Sequence, residues 1–102
     1  MTKDVNRKNW SVYIVECKDK RLYTGITDNL ERRIKQHNRG RGCRFTKFRL
    51  PVKLVFREKS VSKGLALKRE AEIKGWTRKR KLELISSKSK ALREGSLSAT
   101  KN

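Results

Sequence analysis

The sequence predicts an α+β domain: a small, mainly antiparallel three-stranded sheet flanked by helices, in the order ββαβαα. Three observations carry this expectation. The segments WSVYIVE, RLYTGI and VKLVF concentrate aromatic and β-branched residues. Between and after them, apolar residues recur at helical spacing behind capping residues. The whole chain has 102 residues, too few for two independent cores.

Taken in order, residues 10 to 16 are apolar or aromatic on both alternating faces, as in a strand covered on both sides. The polar run Lys18 to Arg21 makes a turn, and RLYTGI returns antiparallel, with Gly25 marking a bulge or a close approach of the backbone to another group. A turn centred on Asp19 and Lys20 pairs residues whose numbers sum to 39. Asp28 followed by Glu31 signals a helix start, and that helix runs to about Asn38. Gly40 and Gly42 open a basic loop before Pro51, and Val52 to Phe56 form the third strand. Ser60 or Ser62 caps a helix through about Gly75, with Leu65, Ala66, Ile73 and Trp76 on one face. A last helix from Thr77 to Ile85 turns Leu82 and Ile85 inward and RKRK outward.

Charge narrows the class of partner. Lys and Arg number 29 against 10 Asp and Glu, a net charge of +19, so a polyanion is the expected partner. Leu, Ile, Val and Phe still number 24 of 102, above the roughly 20% floor below which chains stay disordered. The folded unit is expected over residues 9–86, with 87–102 a flexible basic tail of only small, polar and charged groups around Leu92 and Leu97. No apolar run approaches 18 residues and the opening MTKDVNRKN lacks a signal-peptide core, so neither a membrane partner nor secretion is expected, and a cytoplasmic location follows. Cys17, Cys43 and His37 supply too few soft ligands for a zinc site.

Some side chains look misplaced. On the first helix Leu30 and Ile34 make the apolar stripe, and Arg33 and His37 share its face, while Arg32, Lys35 and Gln36 fall opposite. An Arg there needs a carboxylate, a phosphate or a path to water. His37, at a helix end, reads as a cap or a polar contact as readily as a base. Tyr13 and Tyr23 lie on the two hairpin strands, either as ordinary sheet aromatics or as a functional pair. Glu70 and Glu72 border the second helix's apolar stripe, and Glu70 has Lys74 four residues on as an ion-pair partner.

Together these residues resemble the GIY-YIG nuclease domain, in its small stand-alone bacterial form. Val12-Tyr13 stands in the first motif, Tyr23-Thr24-Gly25 in the second, and Leu30-Glu31-Arg32-Arg33 followed by His37 matches the helix carrying the family's catalytic Arg; LKREAEIKGW and RKRKLELI continue the likeness. The family's leading Gly-Ile is Ser11-Val12 here, which removes the backbone freedom of glycine. The resemblance implies a divalent-metal-dependent endonuclease acting on nucleic acid, DNA ahead of RNA. Tyr13 and Tyr23 would position or deprotonate water, Arg33 would hold the scissile phosphate, and Glu70, or alternatively Glu72, would bind magnesium or manganese. His37 joins this catalytic set. No small-molecule cofactor is implied, and a monomer is expected.

The basic residues Arg39, Arg41, Arg44, Lys47 and Arg49, with Phe45 and Phe48 among them, and the run Arg78, Lys79, Arg80 and Lys81 form the expected nucleic-acid surface, against the alternative of solvated charge kept for solubility. The competing function is a basic module that binds RNA or DNA without cutting it.

Overall fold

The computed structural model describes residues 9–87. The flexible tail expected over 87–102 lies, apart from residue 87, outside the described residues.

Strand β1 (Trp10–Glu16) is the centre of a fully antiparallel sheet of order β2-β1-β3, with β2 spanning Leu22–Thr27 and β3 spanning Lys53–Ser60. Two clusters cover its two faces. Val12, Ile14 and Phe56 pack against Ala66 and Ile73; Tyr13, Val15, Cys17 and Val52 pack against Leu30, Ile34, Phe45 and Leu50. The density of apolar residues in WSVYIVE follows from this double burial, since neither face of β1 meets water.

The hairpin register differs by one residue from the sequence expectation. Tyr13 faces Gly25 and Val15 faces Tyr23. The cause is a three-residue loop in which Lys20 adopts a left-handed φ of 75° and its N–H donates to the Cys17 carbonyl. The consequence is large, because a slip of one residue exchanges faces. In the register expected from sequence Tyr23 would face Glu16, on the side of the sheet away from Tyr13. The observed loop puts both tyrosines on one face. Gly25 is a close approach, and the irregularity in the sheet sits instead between Ile14 and Val15, against β3.

Helix α1 (Leu30–Asn38) is capped by Asn29, whose side chain accepts from the Arg32 N–H. Asp28, expected as the cap, pairs with Arg32, and Glu31 reaches Lys35 across solvent. The basic loop is not wholly irregular: a short helix α2 (Arg44–Lys47) interrupts it. Asn38 clamps the loop's far end, donating to the Val52 carbonyl and accepting from the Val52 N–H at 2.7 Å. β3 runs four residues beyond the expected Phe56.

Helix α3 (Lys63–Lys74) starts at Ser62, as one of the two expected caps. Ala66 and Ile73 are buried as expected, but Leu65 is 50% exposed, since it lies one residue round the helix from the buried row. A last helix, α4, occupies 78–87, with the Thr77 hydroxyl capping the Arg80 N–H. Leu84 and Ile85 meet the core, whereas Leu82, expected inward, is exposed.

Candidate functional site

The site is built around a tyrosine that belongs to the core. Tyr13 stands on the central strand, fully buried, and its ring crosses β2 over Gly25. A Cβ at position 25 would stand 2.6 Å from the Tyr13 hydroxyl, so only glycine lets the ring pass. The hydroxyl then reaches the inner face of α1. It lies 2.8 Å from His37 Nε2 and accepts from Arg33 Nε at 3.3 Å.

In the Nδ1–H tautomer of His37, which leaves Nε2 as the acceptor nitrogen, the Tyr13 hydroxyl donates to Nε2 while its oxygen accepts from Arg33 Nε. His37 Nδ1–H in turn donates to Thr46 Oγ1 at 2.8 Å, and the Thr46 hydroxyl donates to the Cys43 carbonyl at 3.4 Å. The four-residue helix α2 therefore exists in this loop for a reason: it delivers Thr46, fully buried, beneath the histidine.

Burial is the main cause holding His37 neutral, and the charge of Arg33 adds to it, lowering the ring's pKa to about 4. The unfolded chain binds this proton below about pH 6.5, so the stability held by neutral His37 is complete above that pH and is lost as pH falls toward 4. Between pH 7 and pH 5 the loss is about 2 kcal/mol. His37 is the only histidine in the chain, so urea unfolding of the parent and of His37→Gln at the two pH values isolates it. The parent should lose about 2 kcal/mol more than the variant, and equal losses would contradict the assignment.

Arg33 is half-buried and anchored by three bonds: Nε to Tyr13, Nη1 to Gln36 Oε1 at 3.2 Å and Nη2 to the Gly42 carbonyl at 2.9 Å. A guanidinium has five N–H donors, so two stay available while the plane is held rigid. Gln36, expected on the outer side of the helix, instead faces this group. Tyr23 completes the aromatic wall, with its ring centroid 6.4 Å from Tyr13, 5.5 Å from His37 and stacked on Phe45 at 5.9 Å. Burial pushes both phenols above their ordinary pKa, and for Tyr13 the hydrogen bond from Arg33 partly opposes that rise. Neither tyrosine ionises unaided near neutral pH. Tyr13 alone of the two has a bonded nitrogen to take its proton.

Cys43 and Thr46 are the members that sequence reading missed. Burial alone would raise the Cys43 thiol, but hydrogen bonds from Thr46 and Tyr23 and from the backbone bring it below its ordinary range. No spacing signal announced them, since they come from a loop whose helix is one turn long.

Glu70 lies on α3, whose apolar row packs on the opposite face of the sheet; its edge comes round to Tyr23. The negative charge of Glu70 raises Tyr13. Its side chain is only 17% exposed, and it binds Lys74 Nζ at 3.2 Å. Glu72 points elsewhere and bonds Arg69, which also holds Glu58. Among the described residues no three His, Cys, Asp or Glu side chains gather. A single carboxylate oxygen donor suits magnesium or manganese, which keep most of their waters and borrow substrate oxygens.

The basic residues divide. Arg41, Arg44 and Lys47, with Cys43 and the exposed Phe48, line a depression of about 370 Å³. Arg78 and Lys81 join Arg21, Leu22 and Phe45 around a second one of about 220 Å³. Phe45, on the wall of the second, is stacked on Tyr23, and Cys43, on the wall of the first, bonds Tyr23. The two depressions thus flank the tyrosine. Arg39 is exposed beyond α1 and lines neither. Arg49 is committed internally, to Asp19, to the Phe45 carbonyl and to the face of the Phe45 ring. Arg80 stacks on Trp76 at 4.2 Å, and Lys79 lies with Leu82 on the outer side of α4.

Residues 9–83 match a family model described as the GIY-YIG catalytic domain. The chain is 58% identical over 78 residues to the UPF0213 protein CPE1444 of Clostridium perfringens, spanning 76% of this chain and 84% of that one. It is 53% identical over 75 residues to the UPF0213 protein SSP2268 of Staphylococcus saprophyticus, spanning 74% and 92%. Among solved structures, the UPF0213 protein BH0048 from Bacillus halodurans superposes with a TM-score of 0.53 at 44% identity, covering 78% of this chain and 85% of that one. The protein EF2693 from E. faecalis gives 0.56 at 34%, covering 79% and 86%.

Proposed function

The chain belongs to the GIY-YIG family, a nuclease-type family acting on nucleic acid, and from that premise we propose that residues 9–86 form a divalent-metal-dependent endonuclease hydrolysing phosphodiester bonds, in DNA ahead of RNA. The observation that carries the reading is the Tyr13 hydroxyl, held between a proton acceptor, His37 Nε2, and a cation with spare donors, Arg33.

Arg33 offers its two remaining N–H groups to the phosphate oxygens, where charge grows in the transition state. The arriving negative charge offsets the guanidinium, which is one of the two causes holding the His37 pKa down. Burial, the larger cause, stays in place, so substrate raises the basicity of His37 by the part that the Arg33 charge contributes. Water attacks phosphorus, forming a new P–O bond while the bond to the leaving sugar oxygen breaks. Tyr13 is fully enclosed in the free protein, so this step requires substrate binding to open its oxygen to the water. The water's proton then passes to the Tyr13 oxygen as the Tyr13 proton moves to His37 Nε2, and the leaving oxygen is protonated from solvent. Tyr23 packs against the Tyr13 and His37 rings and holds them in place. Glu70 would hold the divalent cation, which would supply Lewis-acid stabilisation of the phosphate charge. The depressions on either side of Tyr23 carry the flanking backbone, chiefly through Arg41, Arg44, Lys47, Arg78 and Lys81.

The test is cleavage of single-stranded, nicked, branched and duplex DNA, and matching RNA, with magnesium or manganese. The parent should cut at least one of these, EDTA should stop it, and Glu70→Gln should slow it on the order of 100-fold. A parent that binds these nucleic acids tightly and cuts none with either metal returns the function to binding alone.

A further inference from the structure

Resting on that reading of Glu70, we infer that Lys74 is a built-in placeholder for the divalent cation, which makes nucleic acid the first ligand to bind and the metal the second.

Among the described residues, two i,i+4 Glu–Lys pairs allow a direct contrast. Glu31 and Lys35 meet at 3.9 Å with the Glu31 side chain 84% exposed, an ordinary solvated pair on the outside of α1. Glu70 and Lys74 meet at 3.2 Å with the Glu70 side chain 17% exposed. The second pair is not solvated in the same way. Its ammonium lies 5.7 Å from the centroid of the Tyr23 ring, so Lys74 touches both the carboxylate and the aromatic wall of the site. Glu70 also acts electrostatically on Tyr13. A hard cation reaching Glu70 from the site meets a resident positive charge already bound there.

This has a consequence for order. In the free protein, a divalent ion must displace an ammonium from its carboxylate in surroundings already rich in positive charge. A bound phosphate gives Lys74, which is half-exposed on a flexible four-carbon stem, a second anion to move to. Glu70 is then released as a ligand when a scissile group is present. Neutralising Glu70 in the free state also removes the cost of holding a poorly solvated carboxylate unpaired.

The experiment titrates the substrate-free protein with Mn²⁺, read by the EPR signal of free Mn²⁺, for the parent, Lys74→Met, Lys68→Met and the double variant Lys74→Met/Glu70→Gln. Lys68 is an exposed lysine on the same helix, so its variant controls for loss of one positive charge. Lys74→Met should bind Mn²⁺ on the order of tenfold more tightly than both the parent and Lys68→Met, and the double variant should lose that gain. Adding an oligonucleotide should tighten Mn²⁺ binding in the parent more than in Lys74→Met. A Lys74→Met affinity equal to that of Lys68→Met overturns the inference, as does a gain that survives Glu70→Gln. Circular dichroism confirms that each variant is folded. The substrate-free titrations need no turnover. A parent that cuts nothing therefore defeats the nuclease reading and leaves them standing, whereas unchanged Mn²⁺ affinity in an active enzyme defeats only the role of Lys74.

Discussion

Replacing Arg33 with alanine will slow cleavage by on the order of 100-fold or more while leaving nucleic-acid affinity nearly intact, because the side chain's free donors meet charge that grows during the reaction. Three bonds, to Tyr13, Gln36 and the Gly42 carbonyl, keep that guanidinium oriented, so its loss also frees the Tyr13 oxygen. The paired comparison is Arg41→Ala/Arg44→Ala, which removes two cations from the depression beside the site. That double variant should weaken binding steeply and lower the log–log salt slope by about 0.7 to 0.9 for each lost phosphate contact. Arg33→Ala should change the slope by no more than about one contact. A second readout needs no substrate. Arg33's charge helps to depress the His37 pKa, so in Arg33→Ala the ring should titrate above its parent value of about 4, followed by NMR of the chain's one imidazole. Cleavage retained within a few-fold of the parent would remove Arg33 from the reaction.

Gly25→Ala is the second large effect, and it acts through space rather than charge. The new methyl would stand 2.6 Å from the Tyr13 hydroxyl oxygen and 2.8 Å from the ring carbon bearing it. Residue 25 is paired directly with residue 13 in the middle of the hairpin, so the backbone cannot retreat without breaking the ladder. The ring must move instead, out of contact with His37. Overpacking of this kind costs about 1–3 kcal/mol. In a domain of this size that lowers Tm by roughly 4–8 °C per kcal/mol. Cleavage should fall with the loss of the bond from Tyr13 to His37, while binding through the basic depressions persists. A variant with the parent's Tm and activity would mean that the ring does not cross β2 at this point.

The strands, the long helices and their order were legible in the sequence because each is written in a local signal: the unbroken aromatic and β-branched run WSVYIVE, a cap at Ser62, helical spacing of Ala66 and Ile73. The hairpin register was not. It turns on a left-handed Lys20, and lysine carries no side-chain signal for that conformation, unlike the Asn or Gly that usually announces it. Arg33 and His37 were visible as polar residues on an apolar helical face, but their partners were not. Thr46 reaches His37 through a one-turn helix too short to leave a pattern, and Gln36 turns inward because Arg33 offers it a bond. The basic run could be counted but not sorted. Only folding shows that Arg49 and Arg80 are tied down on Phe45 and Trp76, while Arg41, Arg44 and Lys47 line an open depression.

The burial of Tyr13 and His37 within the core also has an evolutionary consequence. Both are fully enclosed, and their mutual bond satisfies two polar groups that would otherwise be costly. Selection for a folded chain therefore preserves them whether or not anything is cut. Arg33 and Glu70 sit nearer the solvent, and the fold asks less of them. A lineage released from selection for turnover should shed those two first, keeping both tyrosine and histidine as relics of packing. In descendants of this domain, an intact tyrosine motif is then a record of ancestry, and under the proposed function the arginine and glutamate are the record of continued use.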